Sequence, residues 1–421
     1  MLILANTLSF NGGTTFILRL CREFLRRDKR IGVLVLINDV DKKLLLEIEK
    51  YADVYFLGDY QRPLFSWTFS SQLGVFFPLD FKSLKVLFHR YDNCVHVMGV
   101  FGLLFAARFI KKQSTSLKMS VGIYHQNEFM FSDANYYFAN IAKAIFSKLG
   151  ADAVILFNEN CVTSYSVFFD NDYSSSVLVP VGIDLPVMTR EIYGDSSSGR
   201  IVSIGNLYNF KSYNMHIINC MPFFLMGNPS IVYEIYGAGP FEKNLKELVA
   251  SLGIEHAVFF KGQIPYSELP DVLAGAFLFV GSGTAIVEAS ALGIPSLIGI
   301  ESTREPITYG FLSDVEGFSY NEMIEGKKVS LMLDTIKTLL HDSDAWLDVA
   351  IKCKGKASSF SVIHTVDGFQ LQGSRDFCVG PSEVNGYSNI RALISFLCCG
   401  VKHTLGVDVR FANRRDQGTL G

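Results

Sequence analysis

The sequence lacks several features that would assign it to a common class. Only 19% of its 421 residues are charged, the formal charge is −3, and no block of lysine and arginine forms a nucleic-acid footprint. Its eight cysteines include no CxxC pair, so neither a zinc ribbon nor a thioredoxin-like site is expected. A strand-like run begins at Met1, so no secretory signal peptide is expected, and the thiols read as reduced in a cytoplasmic protein. The most apolar stretch, VHVMGVFGLLFAARFIKK, has roughly sixteen apolar residues, against roughly twenty for a spanning helix. It reads as a buried strand running into a core helix, with Arg108, Lys111 and Lys112 trailing as cations within reach of lipid. No complete GxGxxG follows a strand, which disfavours a dinucleotide-dependent dehydrogenase.

Apolar residues are plentiful at 49%, enough for more than one core and too many for a disordered chain. Near-continuous apolar runs alternate with amphipathic ones. MLILAN, IGVLVLI, ADVYFLG, NCVHVMG, KMSVGIYH, AVILFN and SVLVPVG read as strands covered on both faces. After a polar break, GDSSSGR at 194–200, the alternation restarts with RIVSIGN, IVYEIYG, AVFFKG, AFLFV and IPSLIGI. Strand–helix–strand repetition implies mostly parallel sheets with right-handed crossovers. The expectation is an α/β protein of two Rossmann-like domains, residues 1–190 and 200–345, facing each other across a cleft. A C-terminal helix over 346–366 and an irregular, partly disordered tail over 367–421 complete it, with IRALISFLCCGV as one short helix in that tail.

In open α/β sheets ligands bind beyond the carboxyl ends of strands, so the loops there are the candidates. GNLYNFK places Lys211 near one such end, where an ammonium neutralises a diphosphate; it also reads as an ordinary surface lysine. YGAGPFE resembles part of a dinucleotide loop, but Pro240 and Glu242 break the pattern. GSGTAIVEA puts Gly281, Ser282, Gly283 and Thr284 between a buried strand and a helix. The amides and dipole of a helix N-terminus there favour an anion. Glu288 lies about one turn further on, suited to accept from a pair of vicinal hydroxyls, or else a plain surface glutamate. His125 and His96 close two strands of the first domain, each also readable as a satisfied, half-buried histidine.

Taken together, NTLSFNGGTTF, ADAVILFNEN, VLVPVGID, IVSIGNLYNFK, YGAGPFEKNLKEL and GTAIVEASALGIPSL resemble, in this order, the retaining glycosyltransferases of family 4, over roughly residues 1–365. That resemblance implies the GT-B fold and a nucleotide-diphosphate sugar donor, UDP- or GDP-linked, with no metal required. It implies that Glu288 binds the ribose, that Lys211 pairs with the diphosphate, and that Gly281, Ser282, Gly283 and Thr284 approach the diphosphate and sugar. Gly12 and Gly13 match the first-domain glycine loop, and His125 the histidine beside the transferred sugar. Two positions depart from the family's pattern: Val280 stands where it has a glutamate, and Asn206 where it has an arginine.

The reading is therefore a hexosyl-type glycosyltransferase acting on a saccharide or lipid-linked saccharide acceptor in cell-envelope, capsular or lipopolysaccharide synthesis. It would be cytoplasmic, with a possible place at the inner membrane face through the basic cluster Arg26, Arg27, Lys29 and Arg30. A solvated helix end explains that cluster equally well. The rivals are a non-catalytic binding or scaffold subunit on the same fold, which Val280 and Asn206 favour, and a nucleotide-sugar epimerase.

Overall fold

The computed structural model describes residues 1–131, 135–186, 192–375 and 377–408. The chain forms two compact units. The first holds residues 1–182 and the described residues from 362 onward; the second holds 183–361.

The first unit is built on seven parallel strands. They are β1 Leu2–Ala5, β2 Gly32–Val35, β3 Asp53–Phe56, β4 Cys94–Met98, β5 Lys118–Ile123, β6 Val154–Leu156 and β7 Val177–Leu178. The sheet order is β3-β2-β1-β4-β5-β6-β7. Helices cover both faces, so β1 and β2 are buried at every residue, as their unbroken apolar sequence requires. The VHVMG stretch is β4 running into the buried helix Gly99–Gln113.

The second unit has five parallel strands, β8 Arg200–Ile204, β9 Val232–Tyr236, β10 Val258–Gly262, β11 Leu278–Gly281 and β12 Ser296–Ile298, in the order β10-β9-β8-β11-β12. Each of the twelve strand-like runs of the sequence supplies one strand. In both sheets the order reverses beside the first strand, between β1 and β4 and between β8 and β11. Loops part at such a point and leave room for a ligand.

The path between the units differs from the sequence expectation. The break at 194–200 is part of the second unit, not a linker: Asp195 N–H donates to Ala276 O at 3.1 Å, and Asp195 Oδ1 accepts from Ser197 N–H at 2.8 Å. The division falls instead at 182/183. The expected boundary at 190 lies among residues 187–191, outside the described residues.

The tail is also more regular than its composition suggests. The helix Ser343–Ala357 belongs to the second unit, where Trp346 Nε1–H donates to Phe277 O at 2.7 Å. The helix Val362–Ser374 returns to the first unit and buries Val362, Val366 and Phe369 there. A Cβ on Gly368 would lie 2.2 Å from Val179 Cγ1, so this glycine is needed for close packing next to β7. The helix Asn389–Thr404 packs on the helix Tyr137–Phe146, with Phe396 against Phe76, Phe101 and Phe138. The expected disorder of the last residues concerns 409–421, outside the described residues. All eight cysteines are free thiols. Among the described residues no helix is long and apolar enough to cross a membrane.

Candidate functional site

The second unit gathers its candidates beyond the carboxyl ends of β8, β11 and β12. After β8 the chain turns at Gly205, against the Gly237–Gly239 turn that follows β9. Gly205 N–H donates to Tyr236 O at 2.9 Å, and Leu207 N–H to Ala238 O at 3.0 Å. A Cβ on Gly237 would lie 1.9 Å from Gly205 O, and one on Gly239 2.2 Å from Leu207 O. The glycines of YGAGP therefore serve the packing of two loops rather than a dinucleotide. Lys211 ends the first of these loops. It is half-buried, its Nζ is placed 2.8 Å from where a Cβ on Gly205 would be, and no carboxylate among the described residues pairs with it.

The stretch from Gly281 to Glu288 is more engaged than the sequence implies. Gly281 is the last residue of β11, and its carbonyl accepts from Gly299 N–H at 2.8 Å. Ser282 is the buried, extended N-cap of the helix Gly283–Ala291, but its Oγ does not cap; it donates to Glu301 Oε1 at 2.6 Å. Gly283 opens the helix at φ +65°, a left-handed conformation that a side chain would strain. Its N–H donates to Asn321 Oδ1 at 2.7 Å, and its carbonyl accepts from Tyr320 OH at 2.8 Å. Thr284 is half-buried in the first turn. The expected cradle of free amides over 281–284 is thus partly occupied, because a side chain from a distant loop reaches the helix end first.

Glu288 is 7% exposed, which removes the surface-glutamate reading. It sits about 7.5 Å along the helix axis from Gly283. Val280, at the position of the family's other glutamate, is wholly buried in β11. Its carbonyl accepts from Ser203 Oγ at 2.6 Å, in a network with Tyr233 and Asn214.

Carboxylates reach this neighbourhood from elsewhere. Glu301 follows β12 in the run ESTREP, and Glu322 follows Asn321. Burial, and then the charge of Glu301, push the Glu322 carboxyl up to about 7; its Oε2 is buried without a hydrogen-bond partner. Burial raises the Tyr320 phenol, with Glu322, Glu301 and Glu288 adding to the shift in that order. The β12 loop also reaches the lysine loop: Ser302 N–H donates to Phe210 O at 2.6 Å, and His216 Nε2 lies 3.1 Å from Thr303 O. Glu301 was detectable in the sequence as an acidic residue one loop beyond a strand; Asn321 and Glu322, in an irregular segment, carry no such signal.

The first unit's candidates stand on separate loops. Gly12 and Gly13 form the exposed first turn of the helix Gly12–Arg26, whose N-cap Asn11 accepts from Thr14 N–H at 3.0 Å. His125, after β5, is exposed, and its carbonyl accepts from Glu128 N–H at 3.1 Å. His96 is a satisfied core residue: its Nδ1 lies 2.9 Å from Ser120 Oγ and its Nε2 2.7 Å from Tyr124 OH, and burial pushes its pKa down to about 3. At the switch point of this sheet a Cβ on Gly99 would lie 2.7 Å from Asn6 Nδ2 and 3.2 Å from Glu128 Oε1. Glu128 is thus a candidate the sequence reading passed over.

The basic cluster expected to meet lipid is largely spent on the fold. Arg27 pairs with Glu23 at 2.9 Å and Asp367 at 2.7 Å. Arg30 pairs with Asp53 at 2.7 Å and donates to the Glu49 and Ala52 carbonyls.

Two parallel-sheet α/β units with switch points of this kind define the GT-B fold, and comparison with solved structures agrees. HepE of Anabaena, solved with UDP and glucose, superposes with a TM-score of 0.61 at 17% identity, over 89% of this chain and 99% of that one. Sucrose-phosphate synthase of Thermosynechococcus elongatus gives 0.60 at 12%, over 88% and 98%. A TarM mutant of S. aureus, solved with UDP and saccharide ligands, gives 0.59 at 11%, over 89% and 99%. Residues 195–303 match the family model described as glycosyl transferases group 1. The chain carries a glycosyl transferases group 1 domain on a GT-B fold, and it is a glycosyltransferase. Comparison with curated protein sequences finds no match.

Proposed function

We propose that the protein transfers a sugar from a nucleotide-diphosphate donor to a hydroxyl acceptor, with retention at the anomeric carbon and without a metal. The carrying observation is that a half-buried lysine, Lys211, on the loop after β8, and a buried carboxylate, Glu288, in the helix after β11, both follow the carboxyl ends of adjacent strands. Glu288 accepts from the two ribose hydroxyls. Lys211 and the dipole of the helix Gly283–Ala291 offset the negative charge that grows on the departing diphosphate. The bond from the anomeric carbon to the diphosphate oxygen breaks, the bond to the acceptor oxygen forms, and the acceptor's proton passes to the diphosphate. Ser282, Gly283 and Thr284 lie beside the diphosphate and sugar. His125, Gly12 and Gly13 belong to the acceptor side of the reaction.

UDP is the first nucleotide to try, since HepE and the TarM mutant were both solved with it. GDP is the second. Structures of the same fold include a lipopolysaccharide outer core galactosyltransferase, which supports a saccharide or lipid-linked acceptor of the cell envelope. The test is a thermal-shift series with UDP, GDP, ADP and CMP. A nucleotide at 100 times its Kd adds about 2.7 kcal/mol of stability. A shift with one nucleotide that Glu288→Ala abolishes supports the reading; no shift with any of them refutes it.

One observation favours a second reading, a binding or scaffold subunit without turnover. The Gly283 amide, which a donor would otherwise use, is held by Asn321. That reading predicts a nucleotide-induced shift with no sugar released or transferred under any acceptor.

A further inference from the structure

The helix Asn389–Thr404 has two apolar faces, and the fold uses one. Ala392 and Cys399 are buried, and Phe396 packs 5.3 Å from Phe101 and 5.8 Å from Phe76. On the opposite side Ile390, Ile394, Leu397, Val401 and Leu405 follow at steps of four, three, four and four residues, which makes one stripe along a helix. Each of the five is between 46% and 70% exposed.

A second apolar patch adjoins the amino end of this stripe. Leu64 and Trp67, on the short helix Pro63–Ser70, are 78% and 61% exposed. The Trp67 ring rests on Phe77 at 5.7 Å, and the carbonyl of the neighbouring Phe76 accepts from Asn389 Nδ2–H at 2.7 Å. The charge beside the stripe has one sign. The helix contains no acidic residue, while Arg391 and Lys402 flank the stripe, over the rings of Tyr137 at 4.3 Å and Tyr136 at 5.6 Å. Asp408, just beyond, accepts from Tyr136 OH at 2.8 Å.

We propose that this face of the first unit docks on an anionic lipid surface. The helix lies in the plane of the interface with its stripe in the apolar boundary, Trp67 at headgroup depth, and Arg391 and Lys402 toward the phosphates. At 16 residues the helix is about 24 Å long, suited to lying on a bilayer rather than crossing one. A second copy of the chain is the poorer occupant. Paired helices are ordinarily held by opposite charges beside the seam, and here both copies would bring only Arg391 and Lys402. The proposal stands on the first unit alone and does not rest on the donor site.

Flotation of the full chain is the test, with phosphatidylcholine vesicles and with vesicles containing about one third phosphatidylglycerol. The expected result is partition onto the anionic vesicles, weakened by salt, with at least about a tenfold loss in Leu397→Glu and Ile394→Glu. Both positions are exposed, so circular dichroism and Tm should match the parent protein. Trp67 gives a second readout. The other tryptophan, Trp346, is 3% exposed, so a blue shift of emission on adding vesicles reports Trp67 and disappears in Trp67→Phe. Absence of partition, or equal partition by Leu397→Glu, overturns the proposal. So does a dimer in light scattering that Leu397→Glu dissociates without vesicle binding, which would assign the stripe to a second copy. Nucleotide-induced thermal shifts, read on the same variants, remain unchanged whichever way the lipid result falls.

Discussion

Ser282 Oγ donates to Glu301 Oε1 at 2.6 Å, joining the residue that opens a helix to a carboxylate from the loop after the next strand. Ser282→Ala leaves that carboxylate one donor short inside the fold. The expected cost is about 1–3 kcal/mol of stability, read by urea unfolding. Glu301→Gln keeps an acceptor at the same place and should lose less. If Ser282→Ala and Glu301→Gln unfold at the same urea concentration as the parent, the bond does not matter to the fold.

The proposed role of Lys211 predicts a difference between ligands. Lys211→Ala should weaken a nucleoside diphosphate by about 1.5–3 kcal/mol, roughly ten- to hundredfold, and the nucleoside alone by much less. Calorimetric titration of UDP against uridine measures both. An equal loss for the two would mean that the lysine shapes the loop and does not meet the diphosphate.

Glu322 should make stability fall as pH rises. Its carboxyl titrates near 7 in the folded protein against 4.5 in a free chain. Between those values the folded state holds the extra proton, so this contribution is present at pH 4.5 and is lost as pH passes through about 7. Its size is on the order of a few kcal/mol. Glu322→Gln should flatten the curve across this window and raise the Tm at pH 8. A Tm that is lower at pH 8 in Glu322→Gln than in the parent would contradict this.

His96 acts in the opposite sense. Burial holds its folded pKa near 3, below the ordinary 6.5, so the unfolded chain takes up the proton first as pH falls. Stability from this group is complete above pH 6.5 and declines toward pH 3. His96→Gln should therefore shallow the acid limb of the stability curve, whatever it costs at neutral pH. A limb of unchanged steepness in the variant would show that other groups set it.

Backbone packing at the β8 and β9 loops predicts a steep glycine requirement. Gly237 has φ +138° and a Cβ there would lie 1.9 Å from Gly205 O, whereas a Cβ on Gly227 would meet nothing within 4 Å. Gly237→Ala should cost more than about 3 kcal/mol through clash and strain, and Gly227→Ala less than about 1 kcal/mol. Nucleotide binding should fall with Gly237→Ala alone, because Lys211 stands on the displaced loop.

The strands were legible because each is buried on both faces and so had to be written in nearly unbroken apolar residues; MLILAN and AFLFV need no tertiary context to be recognised. Lys211 and Glu288 could be named as candidates for a related reason, since strand ends fix where a ligand loop can be. Glu301 offered only its place one loop beyond a strand; Asn321 and Glu322 could not be picked out, because their place depends on how an irregular loop folds over a helix end, and local pattern has no record of that. The returning helix Val362–Ser374 was hidden by Gly368 and Gly373, which weaken a helical pattern. Gly368 is there because a neighbouring valine leaves no space for a side chain. His96 shows the converse: a strand-end histidine is a visible signal, and only the bonds to Ser120 and Tyr124 reveal it as part of the core.

The chain leaves its first unit after residue 182 and returns to it at 362, which gives the molecule an order of assembly on the ribosome. The continuous stretch 183–361 carries every piece of its own sheet and is free to fold as soon as it emerges. The first unit's sheet is made before that stretch yet stays unfinished, its face lacking Val366 and Phe369 until the second unit has been synthesised. Polypeptides released early would therefore carry a completed second unit and an open apolar seam on the first, a form that chaperones and proteases readily distinguish from the finished enzyme.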